Sequence, residues 1–196
     1  MSHEYWITTV SGGRFFYDNP EDSDISVEDV AHHLSNVGRF AGATRKFWSV
    51  AQHSVLVAWI ILYVLKGSYR AALFGLLHDG HEGYINDIPT PFAEYIADRT
   101  GYDIIESAKR AYDTAIFMRL VGKMPSSEEV ELIKKADKIA LVTEASQYVK
   151  NSDWIARFPY QPLDKVLTPL SHEESAEEFI SWYRGLHEKV GDTDAA

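Results

Sequence analysis

Three apolar helical stripes in this chain each carry a group that an apolar core cannot hold alone. Val130, Ile133, Ala140 and Leu141 recur at helical spacing, and Asp137 falls in the middle of their stripe, with Glu144 further along the same face. His53 lies one turn after Val50 and one turn before Val57. His78 follows Phe74 and Leu77, and Asp79 stands where Gly80 ends the pattern. A buried carboxylate or imidazole without a cation, proton or donor is costly, so the fold must bring these stripes together. Taken singly, a salt bridge accounts for Asp137 as well as a metal does, and a hydrogen-bonded core histidine accounts better for His53. Taken together, one divalent metal satisfies His53, His78, Asp79 and Asp137 at once, where any other arrangement needs four separate partners.

The chain has no cysteine, so a tight metal site here must use nitrogen and oxygen donors. Two imidazoles and two carboxylates suit one divalent transition metal, Zn or Co first, with Mn or Fe as alternatives. Such an ion can lower the pKa of a water and polarise a phosphoryl group. Glu82, three residues after Asp79, and Asp87, before Ile-Pro, are the acidic groups close enough in sequence to orient that water or move a proton. As a rival reading, both are exposed loop carboxylates. His81 reads as solvent-facing.

The pattern along the chain predicts an all-α fold, a single helical bundle with a short N-terminal β hairpin or arm. Residues 5–10 are β-favouring, Ser11 to Gly13 make a turn, and 14–17 form a return strand or an aromatic arm laid on the body. Residues 18–24 read as a loop. Ser26 with Asp29 marks an N-cap. Helices are expected from about Ser49 to Leu65, from Tyr69 into His78-Asp79, and from Ile104 to Val121. Ser126 with Glu129 and Ser171 with Glu174 look like capping boxes, for helices running to about Lys150 and His187. Gly80 to Pro91 reads as a turn-rich site wall, and 151–170 as a surface connection. One domain over 1–196 is expected, with an arm at 1–24, a helical body at 25–190 and a frayed tail at 191–196.

A hydrophobic fraction of 45% fits a globular chain. The formal net charge of -10 disfavours a nucleic-acid polymer as partner, but not a small nucleotide held by a metal and a few local cations. The start, MSHEYWITTVSGG, lacks a basic region followed by an apolar one, and the most apolar run, Val55 to Leu65, is well short of the roughly 20 residues that span a bilayer. The expectation is a cytoplasmic protein with no membrane partner.

These motifs resemble the HD superfamily of metal-dependent phosphohydrolases. ISVEDVAHHLSNVGRFAGATRKFWSVAQHSVLVA (25–58) and LLHDGHEGYINDIPTP (76–91) are similar to the small branch related to bacterial 5′-deoxynucleotidases, including bacteriophage dATP triphosphohydrolases of phages that replace adenine with 2-aminoadenine. The likeness covers nearly the whole chain. It implies that His53, His78, Asp79 and Asp137 ligate the metal and that Glu82 and Asp87 assist hydrolysis. It also implies that Arg39 contacts substrate, that Lys134 lies near the phosphates, and that Phe40 takes the place of a base-packing tryptophan. Gly42 is small and would widen the base pocket. The substrate implied is a 2′-deoxynucleotide cleaved at the α-phosphorus, dATP to deoxyadenosine plus triphosphate, or a monophosphate to nucleoside plus phosphate. A phage source would place the enzyme in the infected bacterial cytoplasm, as a homo-oligomer (dimer or hexamer). The chain departs from relatives at Thr90, where they carry a basic residue between the prolines, and after Phe92, where Ala93 and Glu94 replace a lysine. Trp48 is a second candidate for base packing; Trp59, Trp154 and Trp182 read as packing residues. A non-catalytic nucleotide or metal sensor, and a cyclic-nucleotide phosphodiesterase using His32 and His33, are the competing classes.

Overall fold

A computed structural model describes residues 4–194. A two-stranded antiparallel hairpin, β1 (Trp6–Thr8) and β2 (Arg14–Phe16), opens the chain, with Trp6 opposite Phe16 and Thr8 opposite Arg14. The helices are α1 (Val27–Asn36), α2 (Val50–Trp59), α3 (Tyr69–Leu77), α4 (Glu82–Ile85), α5 (Thr90–Thr100), α6 (Ile104–Leu120), α7 (Ser127–Tyr148) and α8 (His172–Asp194). The fold is all-α with a short β arm, as the periodicity predicts.

Local chemistry explains most boundaries. Ser26, Ser49, Ser68 and Ser126 each accept a backbone N–H at a helix start, filling an orphan donor. Glu129 completes the box at Ser126 by accepting the Ser126 N–H, and Glu174 does the same at Ser171. Helix α2 widens into a π turn at Ile60–Val64 before it ends.

The segment Gly80 to Pro91, read as turn-rich, carries the short helix α4 and the start of α5, and the tail also departs from expectation. Helix α5 is not legible in the sequence, because Pro91 looks like a breaker; at the first turn, however, proline loses no needed donor, and Gly101 closes the helix in the left-handed conformation at φ 71°. Only Ala93 of α5 is buried, so no apolar stripe signals it. The tail expected to fray from 191 instead continues α8 to Asp194; residues 195–196 lie outside the described residues.

The core sits where α2, α3, α7 and α8 meet, with α1 on α8 and α5 packed on α6. Phe74, Leu77, Val57, Ile116 and Phe179 are fully buried within it. The hairpin is laid on the body: Phe15 stacks on Tyr84 at 3.8 Å, the Tyr17 hydroxyl donates to the Tyr84 carbonyl, and Ser11 donates twice to Asp29. The arm thereby braces α4, which carries Glu82. Among the described residues no helix is long and apolar enough to cross a membrane.

Candidate metal centre

Helix α2 brings His53 into the core with no exposed surface, because its neighbours Val50, Val57 and Ala58 face the same packed interior. Its Nδ1 donates to Glu144 Oε1 at 2.8 Å. At the end of α3, His78 Nδ1 donates to the Gly75 carbonyl at 2.8 Å. A carbonyl only accepts, so the His78 proton sits on Nδ1 and its Nε2 offers a lone pair once the ring is neutral. Both Nε2 atoms are buried without a hydrogen-bond partner. They face carboxylates instead: His53 Nε2 lies 3.3 Å from Asp137 Oδ1 and 3.5 Å from Asp79 Oδ2, and His78 Nε2 lies 3.2 Å from Asp79 Oδ2. One donor atom from each of His53, His78 and Asp79 falls within a 4.8 Å set. Two unpartnered imidazole Nε2 atoms facing carboxylates could hold a divalent cation at His53, His78 and Asp79 once both rings are neutral; Asp137 lies outside that donor set and reaches it through His53, and the outer carboxylate on His53 is the usual way such a ring is oriented.

Electrostatics supports the same fit. Burial and the Arg39 charge oppose protonation of His53, but Glu144 and Asp137 outweigh them and lift it to about 10. Burial works against charge on Asp79, Asp137 and Glu144, yet the imidazoles hold all three below the usual carboxylate range, with Arg39 helping at Asp79 and Glu144. Glu82 goes the other way: burial, then the Asp79 charge, push it well above that range, and Arg39 only partly offsets this. Its Oε2 is buried and unpartnered.

A pH dependence follows for the metal-free protein. His53 stabilises the fold fully below its unfolded value of about 6.5, and that contribution is lost as pH rises through about 10. The three lowered carboxylates contribute above about 4 and lose their contribution as pH falls. A metal ligand must be neutral imidazole, so loading at pH 7 should release about one proton from His53. Calorimetry in buffers of different ionisation enthalpy measures this; loading with no proton release would contradict the His53 assignment.

Arg39 is buried between four carboxylates. Its guanidinium lies 3.5 Å from Glu144, 3.7 Å from Asp79 and 4.0 Å from Asp87, with Glu82 also acting on its charge. Phe40 follows in a left-handed conformation at φ 56°, with Ala41 at 50° and Gly42 at 78°. Asp87 holds this turn by accepting the Phe40 N–H at 3.1 Å. A β-carbon at Gly42 would meet nothing within 4 Å.

The structure thus gathers His53, His78, Asp79, Asp137, Glu82, Asp87 and Arg39, with Phe40 and Gly42 on the turn beside them. It does not bring Lys134 in: that side chain is exposed and reaches back along α7 to Glu131 at 2.9 Å. Lys138 stands at the centre instead, 3.2 Å from Asp137 Oδ2. Trp48 is no base platform, since it is buried, stacks on Tyr148 and donates to Glu144 at 3.0 Å. His81 is not solvent-facing but 5% exposed, its Nδ1 donating to Asp113 Oδ1 at 2.7 Å and its Nε2 unpartnered. It shares a second donor set with Asp79 and Glu82. Adjacency to Asp79 is the only sequence signal for His81, and Asp113, on α6, gives none.

No protein-family model matches the chain. A largely buried cluster of His53, His78 and Asp79 that could hold a metal ion sits in a helical scaffold, and relatives define the family. The chain is 33% identical over 147 residues to the uncharacterized protein RCAP_rcc00048 of Rhodobacter capsulatus, covering 72% of either protein, and it belongs to that protein's family. It is also 40% identical over 93 residues to the uncharacterized protein YfdR of Escherichia coli (strain K12). That match spans 47% of this chain and about half the length of YfdR, 49%.

Proposed function

We propose that the protein is a divalent-metal-dependent phosphohydrolase of the HD superfamily that cleaves a 2′-deoxynucleotide at its α-phosphorus. The observation carrying this reading is the pair of buried imidazoles whose Nδ1 atoms are tied down and whose Nε2 atoms face Asp79 and Asp137. Zn or Co suits that donor set best, and when bound it would supply Lewis acidity toward a phosphoryl oxygen and a water of lowered pKa.

The chain's own residues supply the rest. Arg39, fixed among carboxylates, offsets the negative charge that grows on the phosphoryl oxygens. Burial and the Asp79 charge push Glu82 well above the usual carboxylate range, which favours its acid form as the proton donor to the 5′-oxygen as the phosphorus–oxygen bond breaks. Water takes the leaving group's place on phosphorus, and the proton it loses returns Glu82 to its acid form by way of solvent. Asp87 secures the Phe40 turn, so its contribution includes positioning.

From dATP the products are deoxyadenosine and triphosphate. A second reading, 5′-deoxynucleotidase action on monophosphates, is favoured by Thr90, Phe92, Ala93 and Glu94, which put no cation for the outer phosphates where the resemblance leads one to expect it. A product-resolved assay of the metal-loaded protein against the four dNTPs, their monophosphates and the ribonucleotides tests both. Triphosphate release from dATP supports the first, phosphate release from monophosphates the second. Turnover of neither class, with metal bound, removes the hydrolase reading and leaves a sensor.

Lys138, rather than Lys134, is the α7 cation that should matter. Lys138→Ala is expected to raise KM for the nucleotide about threefold to tenfold, as loss of a partly screened charge contact does. Lys134→Ala should stay near wild type. The reverse order in steady-state kinetics would reinstate Lys134.

A further inference from the structure

We infer that Trp154 and Phe40 are the two walls of a nucleobase-binding slot, with Trp154 a specificity-determining side chain; this rests on the deoxynucleotide reading above. The sequence pattern assigns Trp154 to packing, and the structure leaves it half-buried outside the hydrophobic core. No residue of its turn, Asp153–Arg157, is buried. The rings it meets are Phe40, 6.4 Å away and tilted 55°, and Phe158, edge-on at 6.1 Å. Phe40 is likewise outside the core and the side chains packed on it. Two large, half-buried aromatic groups therefore face each other outside the core.

Their position is built rather than incidental. Asp87 and the left-handed run from Phe40 to Gly42 hold the Phe40 wall, a conformation that costs energy in residues bearing a β-carbon. The Trp154 wall is carried by the chain leaving α7, which is pinned to the Phe40 segment by the Arg45 N–H to Tyr148 carbonyl bond at 2.8 Å and the Thr44–Val149 bridge. The Arg39 guanidinium lies 5.6 Å from the Phe40 ring while also facing Asp79. A ligand that lies against these rings and reaches the acidic centre past Arg39 has a planar apolar end and an anionic end. A nucleotide has that chemistry. The 55° tilt leaves a wedge, and a rotation of the half-buried Trp154 side chain would make the walls parallel around a base. A β-carbon at Gly42 would meet no atom within 4 Å, so the turn does not obstruct a base there.

The test pairs kinetics with a binding readout on the metal-loaded protein. Trp154→Ala should raise KM for the deoxynucleotide about tenfold, the usual loss for one base-stacking ring, and leave kcat within about threefold. It should not alter turnover of 2-deoxyribose 5-phosphate, which has no base. Trp154→Phe should recover most of the loss. Deoxyadenosine alone should quench tryptophan emission of the wild type, and this quench should vanish in Trp154→Phe. Equal losses on both substrates, or a quench that survives Trp154→Phe, overturns the slot. Trp154-dependent quenching without hydrolysis of either substrate leaves the slot standing and removes the hydrolase reading. Neither quenching nor hydrolysis overturns both.

Discussion

Asp79→Ala protein should purify without stoichiometric divalent metal and show no nucleoside release above background. Asp79 is the carboxylate that both His53 Nε2 and His78 Nε2 face, at 3.5 and 3.2 Å, and it also lies 3.7 Å from Arg39. On the proposed metal assignment, removing it deletes one of four ligands and frees both imidazoles from their common point. Loss of the ion forfeits several kcal/mol of transition-state stabilisation, about a thousandfold or more in rate. Arg39 keeps Glu144 and Asp87 as counter-charges, so the variant should remain folded. Metal content by mass spectrometry, activity, and helicity by circular dichroism separate the outcomes. A folded variant that still holds about one ion and turns over normally would show that Asp79 is not a ligand.

The second large effect is expected at Glu144, which is fully buried and joins three partners: His53 Nδ1 at 2.8 Å, Trp48 Nε1 at 3.0 Å and Arg39 Nε at 3.5 Å. Glu144→Gln keeps the shape but removes the charge. Metal affinity should fall about 10- to 100-fold, the usual cost of losing the carboxylate that orients a ligating histidine. The charge also favours protonated His53, so part of the loss is masked at neutral pH and the deficit should widen as pH approaches 10. Glu144→Ala should be worse, because Arg39 and the Trp48 indole lose a buried partner; breaking such a pair costs about 3–5 kcal/mol. On stability the sign is set by the lowered Glu144 pKa. Its contribution is present above about 4.3 and fades as pH falls, so wild type and Glu144→Gln should converge in acid. Equal metal affinity in the two proteins across this range would leave Glu144 as a packing residue only.

Much of this centre is legible in the sequence because buried polar groups stand out on apolar stripes. His53, His78, Asp79 and Asp137 stand out in this way, and the structure places them together. Glu144 is visible on the same stripe, but its task is not, since its partner is 91 residues away on another helix. Lys134 and Lys138 lie on either side of Asp137 on one helix, and the charge pattern does not say which reaches it; side-chain direction does. His81 reads as exposed because its partner, Asp113, comes from α6, 32 residues on. Helix α5 escapes for the opposite reason, having almost no buried face to leave a pattern.

The amino-acid sequence by itself determined the helical class, most helix starts and the set of groups that had to share a partner. Serine caps act within one turn, and burial on a 3.6-residue period is a local property of the chain. Only the tertiary structure decided which faces meet, and with that the unpartnered Nε2 atoms, the upward shift of Glu82 and the meeting of the Trp154 and Phe40 rings. Each of these depends on distances between groups far apart in the chain, and electrostatic and hydrogen-bond energies follow those distances, not sequence spacing.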